Sequence, residues 1–563
     1  MWTVNPTMFK RTRFNRRLDF LSEQIVRWLR ATKVQVEKSL CTSFRRQRPS
    51  QFKTVWTEIG FVFSICVSMI LSEYFVSGFA VIVPELVKDL NIPASSSTWP
   101  ASAYSLMVSS VMLPFGRLAD IYGGRPVYIA GLVWLTLWSL IAGFSKDQYM
   151  LDICRALQGL GPAAFMPSGM MLLGRTYRPG HRKNLVFSIY GACGAAGFFI
   201  GIFFAGLTAQ YTEWAWYFWV GAILSFISVA AAMICIPSEK HSRDELQMDW
   251  LGSGLIASSF ILFVFSITDS AYAPNGFKTP YIIVTLVSGI LLFAIALYVE
   301  RYVATQPLLP YSLFAVPRIK PLFIALFFTY GSLGIFLLYA TFYCTNIMGA
   351  SGLQLVAWFI PLAIGGCLIG TFGGFILQLI PGTALIIFSG ICWIIAPLLF
   401  ALAPKDATFW TWIFTSMICA TLGIDITFNV TTIFITTSLP SSQQGLAGAL
   451  INSIMQFSIA VCLGISEIIA NSVETKHGSL RDSYKAVFWF EVTCAGMALC
   501  ILIPFCKIDS ATARLTDEEK QDAETENDNE DDGAGTGKRD QNACASHSEN
   551  LSSSSESLDK HIC

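Results

Sequence analysis

Between two long apolar runs stands Gly116-Arg117-Leu118-Ala119-Asp120-Ile121-Tyr122-Gly123-Gly124-Arg125-Pro126. The stretch is too short and too charged to cross a bilayer, whereas its flanks, roughly 99 to 115 and 127 to 144, approach the ~20 residues that a spanning helix needs. It therefore reads as a tight loop at a membrane surface. Two arginines place it on the cytoplasmic side, where short loops collect Lys and Arg. Its glycines let two helix ends approach closely, and Asp120 can accept from Arg117, Arg125 or the amides of a helix N-terminus. Such a clasp of Gly116, Arg117, Asp120, Gly123 and Arg125 can make and break as two helices slide.

Working outward, apolar runs of spanning length fall near 59–83, 99–116, 126–144, 150–173, 185–207, 216–236, 249–269, 281–299, 321–343, 353–375, 383–402, 409–432, 446–470 and 486–506. Fourteen runs put both termini on one side. Arg175, Arg178, Arg182 and Lys183 after the fourth run, and Arg301, Arg318 and Lys320 after the eighth, make that side the cytoplasm. The composition agrees, with 53% apolar and only 13% charged residues among 563. Net charge is zero but unevenly spread, basic in the first 56 residues and acidic in the last 55 or so. The first long apolar run starts near Ile59, so a cleavable signal peptide is not expected. All five histidines lie outside the runs and the fifteen cysteines form no CxxC pair, which leaves no metal-ligand pattern and no resident cofactor to expect. No phosphate-cradling loop or nucleophile elbow appears either, so an enzyme is the least supported class, and nothing points to nucleic acid.

In the basic segment 1–56, Leu18, Leu21, Ile25, Trp28 and Leu29 recur at helical spacing with arginines off the stripe. This suits either an amphipathic helix on the inner leaflet or a solvated tail. The Ser-rich acidic tail, 507–563, cannot bury enough surface to fold.

The loop pattern Gly-x-Leu-Ala-Asp-x-x-Gly-x-Arg, at Gly116, Leu118, Ala119, Asp120, Gly123 and Arg125, resembles the signature of the major facilitator superfamily, although Gly124 stands where that family usually has a basic residue. Fourteen runs resemble its fourteen-spanner drug:proton antiporters, and several stretches look most like the fungal aminotriazole-resistance branch. The resemblance covers roughly 55–506. It implies an all-α membrane protein of the major facilitator fold: an N-terminal six-helix bundle (57–236), two extra linker helices (237–300) and a C-terminal six-helix bundle (301–506). It also implies a small-molecule substrate held near the midplane, with access alternating as the bundles rock.

Charges at membrane depth are costly and so point to sites. In the fourth run Arg155 and Gln158 share a face, with Asp152 three residues before Arg155. This resembles the superfamily's Arg-x-x-Gln-Gly-x-Gly pattern, which implies an influence on proton transfer; the alternative is that Asp152 simply neutralises Arg155. In the twelfth run Thr421, Asp425 and Asn429 form one polar stripe on an apolar helix. Low dielectric favours the neutral form of a carboxyl, the property a proton carrier needs, so Asp425 is either the proton-coupling group or a helix-packing hydrogen bonder. Gly423-Ile424-Asp425-Ile426-Thr427-Phe428 also resembles the fungal exporters' Gly-x-Asp-x-Ser-Phe stretch. Asn452 and Gln456, i and i+4 in the thirteenth run, either line the cavity or bond between helices. Fourteen-spanners carry an Asp in the first helix where this chain has Phe75, so Glu73 is either its substitute or an interfacial side chain. Gly194, Gly197 and Gly201 stripe one face of the fifth run and suit backbone-to-backbone packing. The proline and second glycine of the family's antiport motif are missing there.

The resulting expectation is a monomeric, proton-coupled exporter of a small organic compound, in the plasma membrane rather than the vacuolar one. A proton symporter or facilitator for a nutrient or inorganic solute is the alternative. A transport-incompetent sensor is the alternative from another class.

Overall fold

A computed structural model describes residues 49 to 505, apart from short stretches at 50, 53, 94–95, 178–180, 238–246, 272, 305, 309–318, 380–381, 405–406 and 439–443. The N-terminal amphipathic segment and the acidic tail lie outside the described residues.

The fourteen apolar runs appear as fourteen long helices: α1 (Val55–Asp89), α2 (Trp99–Tyr122), α3 (Gly124–Ala142), α4 (Gln148–Thr176), α5 (His181–Tyr211), α6 (Ala215–Cys235), α7 (Trp250–Ser270), α8 (Pro280–Tyr302), α9 (Ile319–Phe342), α10 (Gly352–Leu379), α11 (Gly382–Leu402), α12 (Phe414–Ser438), α13 (Gln444–His477) and α14 (Leu480–Phe505). A π-helical turn, Tyr343–Ile347, extends α9, and another, Phe409–Ile413, leads into α12. Twelve of the fourteen are long and apolar enough to cross a membrane by themselves; α2 and α4 are not. The reason is visible in their sequences. Ser102, Ser105, Ser109 and Ser110 sit in α2 with Arg117 and Asp120, while α4 carries Asp152, Arg155 and Gln158. Protein neighbours shelter these polar groups, and serines such as Ser109 and Ser110 donate to Leu106 of their own helix at 2.8 and 2.7 Å.

The packing repeats itself. In the first half α1 packs on α5 and α6, α2 on α4, and α3 on α4 and α6; in the second, α9 packs on α13 and α14, α10 on α12, and α11 on α12 and α14. Adding eight to each label converts one set into the other. Two seams join the halves, α2 against α13 and α5 against α10, and the same operation exchanges them. Helix α7 lies on the first seam, touching both α2 and α13, while α8 packs on α7 and turns Val284, Val287 and Leu291 outward.

Candidate functional site

Helix α1 is held to α5 through missing side chains. A Cβ on Gly197 would lie 2.6 Å from Ile70 Cα, and one on Gly201 would lie 2.7 Å from the Tyr74 carbonyl. Gly194 meets only the end of Met69. The contact is locked by polar bonds that lipid cannot replace. Ser77 Oγ donates to the Phe198 carbonyl of α5 at 2.8 Å, and α1 is likewise tied to α6, where Tyr74 and Tyr217 donate to each other's carbonyls at 2.7 and 2.6 Å with their rings stacked. Glu73 sits half-buried on this fixed scaffold and makes no ion pair among the described residues.

Arg155 is 1% exposed. Its guanidinium donates to the carbonyls of Pro100 and Phe75 at 3.2 and 3.0 Å and to Gln158 Oε1 at 2.7 Å, and it lies over the rings of Phe79 and Tyr104 at 3.9 and 4.4 Å. Gln158, wholly buried, passes the chain on to Ser139 Oγ at 2.7 Å. Asp152 makes no ion pair with Arg155, and its Oδ1 is buried without a hydrogen bond. The charge is thus held by dipoles and aromatic faces. Arg155 ties α4 to α1 and α2, and Gln158 ties it to α3.

The α12 stripe divides. Thr421 is buried and donates to the α10 carbonyl of Leu362 at 3.0 Å, which makes it a helix-packing bond. Asp425 is half-buried, its Oδ2 beside Gly366 of α10, with Ala195 of α5 against the same glycine. Asn429 returns its amide to the Asp425 carbonyl at 2.9 Å, and Asn452 does the same to Gly448. Gln456 is buried with its Oε1 unpaired.

Glu73 and Asp425, one from each half, lie close enough for their charges to act on one another. Both also act on Tyr330 of α9, which is 2% exposed and whose hydroxyl has no hydrogen-bond partner. Two carboxyls and an unsatisfied hydroxyl therefore share one interior region.

The stretch expected to be a loop, Gly116 to Pro126, is helical except at Gly123, because α2 runs on to Tyr122 and α3 starts at Gly124, and its charges find partners distant in sequence. Gly123 ends α2 at φ 93°, ψ 147°, a conformation that glycine alone takes without strain. Gly116 rests against Pro167 of α4 and faces Ala449 of α13. Asp120 pairs with Arg175 at the end of α4, 3.7 Å away, while Arg117 donates to Gln306 Oε1 at 2.5 Å and Arg125 to the Met233 carbonyl at 3.1 Å. The α2 arginine of the expected clasp thus grips the segment after α8, and the α3 arginine grips α6. A Cβ on Gly124 would lie 2.7 Å from Met171, which accounts for glycine where a basic residue is usual.

Sequence reading passed over two acids inside apolar runs. Glu491 of α14 is wholly buried and accepts from Ser332 Oγ of α9 at 3.2 Å, with its second oxygen unpaired. Glu467 of α13 is also buried, toward the far end from the charged turn. The signal was available, since any carboxylate inside a spanning run calls for a reason. Glu58 was missed as well. At the start of α1 it pairs with Arg182 at 2.5 Å and accepts from the Tyr177 hydroxyl at 3.1 Å.

Known proteins agree with this architecture. The family model described as Major Facilitator Superfamily matches residues 65–464. The chain is 33% identical to the low affinity ammonium transporter of Saccharomyces cerevisiae, over 76% of this chain and 84% of that protein. It is 30% identical to efflux pump terJ of Aspergillus terreus (80% and 88%), and 29% identical to the aminotriazole resistance protein of S. cerevisiae (81% and 85%). Among solved structures, an auto-inhibited POT family peptide transporter superposes with a TM-score of 0.56 at 15% identity, covering 81% of this chain and 99% of that one, and so shares the fold. With fourteen helices packed as two matching halves and a family match across both, the chain belongs to the Major Facilitator Superfamily and is an integral, multi-pass membrane transporter of small molecules.

Proposed function

We propose that the protein is a proton-coupled exporter of a small organic compound, working as a monomer in the plasma membrane with both termini cytoplasmic. The observation that carries the reading is that each half sets one carboxyl, Glu73 or Asp425, half-buried in an apolar helix and without an ion pair among the described residues. Such a pair is sensitive to how far apart the halves stand, because two like charges disfavour each other's ionisation at short range. Protons entering from outside would neutralise the pair and release the solute; their loss to the cytoplasm would reset the carrier. Relatives named efflux pump and aminotriazole resistance protein support the outward direction. Gly123 and the Asp120–Arg175 pair act on the cytoplasmic ends of α2, α3 and α4, where they bias one conformation against the other.

Proteoliposomes with an imposed pH gradient test this. The expected result is that a weakly basic or amphipathic compound moves against its gradient as protons run down theirs, and that Asp425→Asn abolishes the coupling while downhill exchange persists. Solute and protons travelling together would instead establish symport. That second reading has its own support in the ammonium transporter relative, so ammonium belongs in the first panel of solutes.

A further inference from the structure

At the end of the molecule opposite the charged turn lies a cavity of about 150 Å³, formed by both halves. Pro84, Val87 and Lys88 of α1 and Ser97 before α2 close one side; α9, α13 and α14 supply the rest. Its polar and aromatic lining is chemically one-sided. Glu467, Glu474 and Asn346 present oxygens, and Tyr339, Phe342 and Tyr484 present rings. Glu467 is 4% exposed, and no lysine or arginine pairs with it among the described residues. Lys88, the only cation in the lining, is mostly exposed and turned to Glu85 at 3.4 Å. Thr98, wholly buried, and Tyr339 lie within hydrogen-bonding reach of the Glu467 carboxyl, so its only neighbours there are neutral donors. The rings are fixed: Phe342 and Tyr484 stack at 6.1 Å, Tyr339 meets Tyr484 edge-on at 5.9 Å, and Asn346 donates to the Tyr484 hydroxyl at 2.9 Å, which leaves its amide oxygen uncommitted.

We propose that this cavity is a second binding site, separate from the Glu73–Asp425 region, for a small organic ammonium cation. Glu467 is its counter-charge and Phe342 and the two tyrosines are its aromatic walls. A buried carboxylate without a cation is costly to maintain, and a bound ammonium group supplies the missing charge. Aromatic faces attract the same ion through their quadrupoles and add little for an uncharged guest. The volume admits a guest of roughly the size of tetramethylammonium. Because its walls come from both halves, occupancy is sensitive to their separation at this end. That role in transport rests on the exporter reading, whereas the binding itself does not.

The test is equilibrium binding of tetramethylammonium to the purified full-length protein in nanodiscs, with tert-butanol, which has the same number of heavy atoms and no charge, as control. Wild type should bind the cation and not the alcohol. Glu467→Gln should weaken binding by about tenfold or more and Phe342→Leu by about threefold, while Asp425→Asn, which can alter only the separation of the halves, should change it by less than Glu467→Gln does. Wild-type affinity in Glu467→Gln, equal binding of tert-butanol, or a loss in Asp425→Asn matching that in Glu467→Gln would each overturn the proposal. Should Glu467→Gln fail to purify as a single species, Phe342→Leu decides, with undiminished affinity counting against the site. Failure of proton exchange with binding intact would remove the exporter reading alone.

Discussion

The two halves share a packing plan and differ in their charge plan. Helix for helix, the contacts of α1–α6 recur in α9–α14. Yet the first half buries cations inside bonded networks, Arg155 among carbonyls and rings and Arg182 on Glu58, whereas the second buries acids: Asp425 in part, Glu467 and Glu491 fully. The pairs that fix α1 differ in the same sense. Between α1 and α5 the glycines Gly78 and Gly201 bring backbone onto backbone, whereas Gly331 and Gly334 of α9 chiefly receive the Cys462 and Ile459 side chains of α13. A repeated scaffold therefore accommodates buried arginines in bonded networks in one half and fully buried acids without a cation partner among the described residues in the other.

The strongest way to break this comparison is at the glycines. Gly201→Val drives a side chain into the Tyr74 backbone, which cannot move aside, and should destabilise the protein by about 3 kcal/mol or prevent its folding. Gly331→Ala meets a cysteine side chain that can turn, and should cost about 1 kcal/mol. Thermal unfolding and the yield of monodisperse protein measure both; equal losses would erase the difference between the two glycine contacts.

Arg155 and Glu491 give the next effect in size. Arg155→Met strands two carbonyls and Gln158 in the interior, at about 2–3 kcal/mol, and Arg155→Lys should recover little because a lysine cannot span all three acceptors. Glu491→Gln keeps an acceptor for Ser332 and removes any buried charge, so its melting temperature should match or exceed that of wild type. A large loss in Glu491→Gln would show the second half to be as tightly networked as the first.

The smallest effect belongs to the charged turn. The Asp120–Arg175 pair is 3.7 Å long and about half exposed, so Arg175→Gln should change stability by less than about 1 kcal/mol, with the difference shrinking in high salt. Transport rate should respond more than melting temperature does. The sequence between α10 and α11 in the second half, Leu379-Ile380-Pro381-Gly382, carries no charge, and substitutions there should show no salt dependence.

Hydropathy made the fold legible because each span must satisfy its own backbone in lipid, so an apolar run of spanning length has few alternatives to a helix. All fourteen runs became helices, with ends within about seven residues of those expected. What hydropathy could not supply was direction. Thr421 and Asp425 share a stripe, yet one is buried in a bond to the Leu362 carbonyl of α10 and the other stays half-buried beside Gly366, because spacing fixes a face without saying what the face meets. The cation for Asp120 came from Arg175, fifty-five positions away, and no local pattern marks such a pair. Glu467 and Glu491 went unread for a simpler reason: a single acid barely lowers the mean hydropathy of the run around it.

Helix α7 makes the molecule one-sided in the plane of the membrane. It covers the α2–α13 seam, with Phe260 stacked on Phe457 at 4.2 Å and Thr268 set against Gly464, whereas neither α7 nor α8 packs on the α5–α10 seam. A lipophilic solute dissolved in the leaflet meets a wall on one flank and a bare junction on the other. The two lines where the halves meet are therefore unequally covered: α7 lies over one, while the other is closed only by α5 and α10 themselves, with Gly206 and Gly352 backbone to backbone.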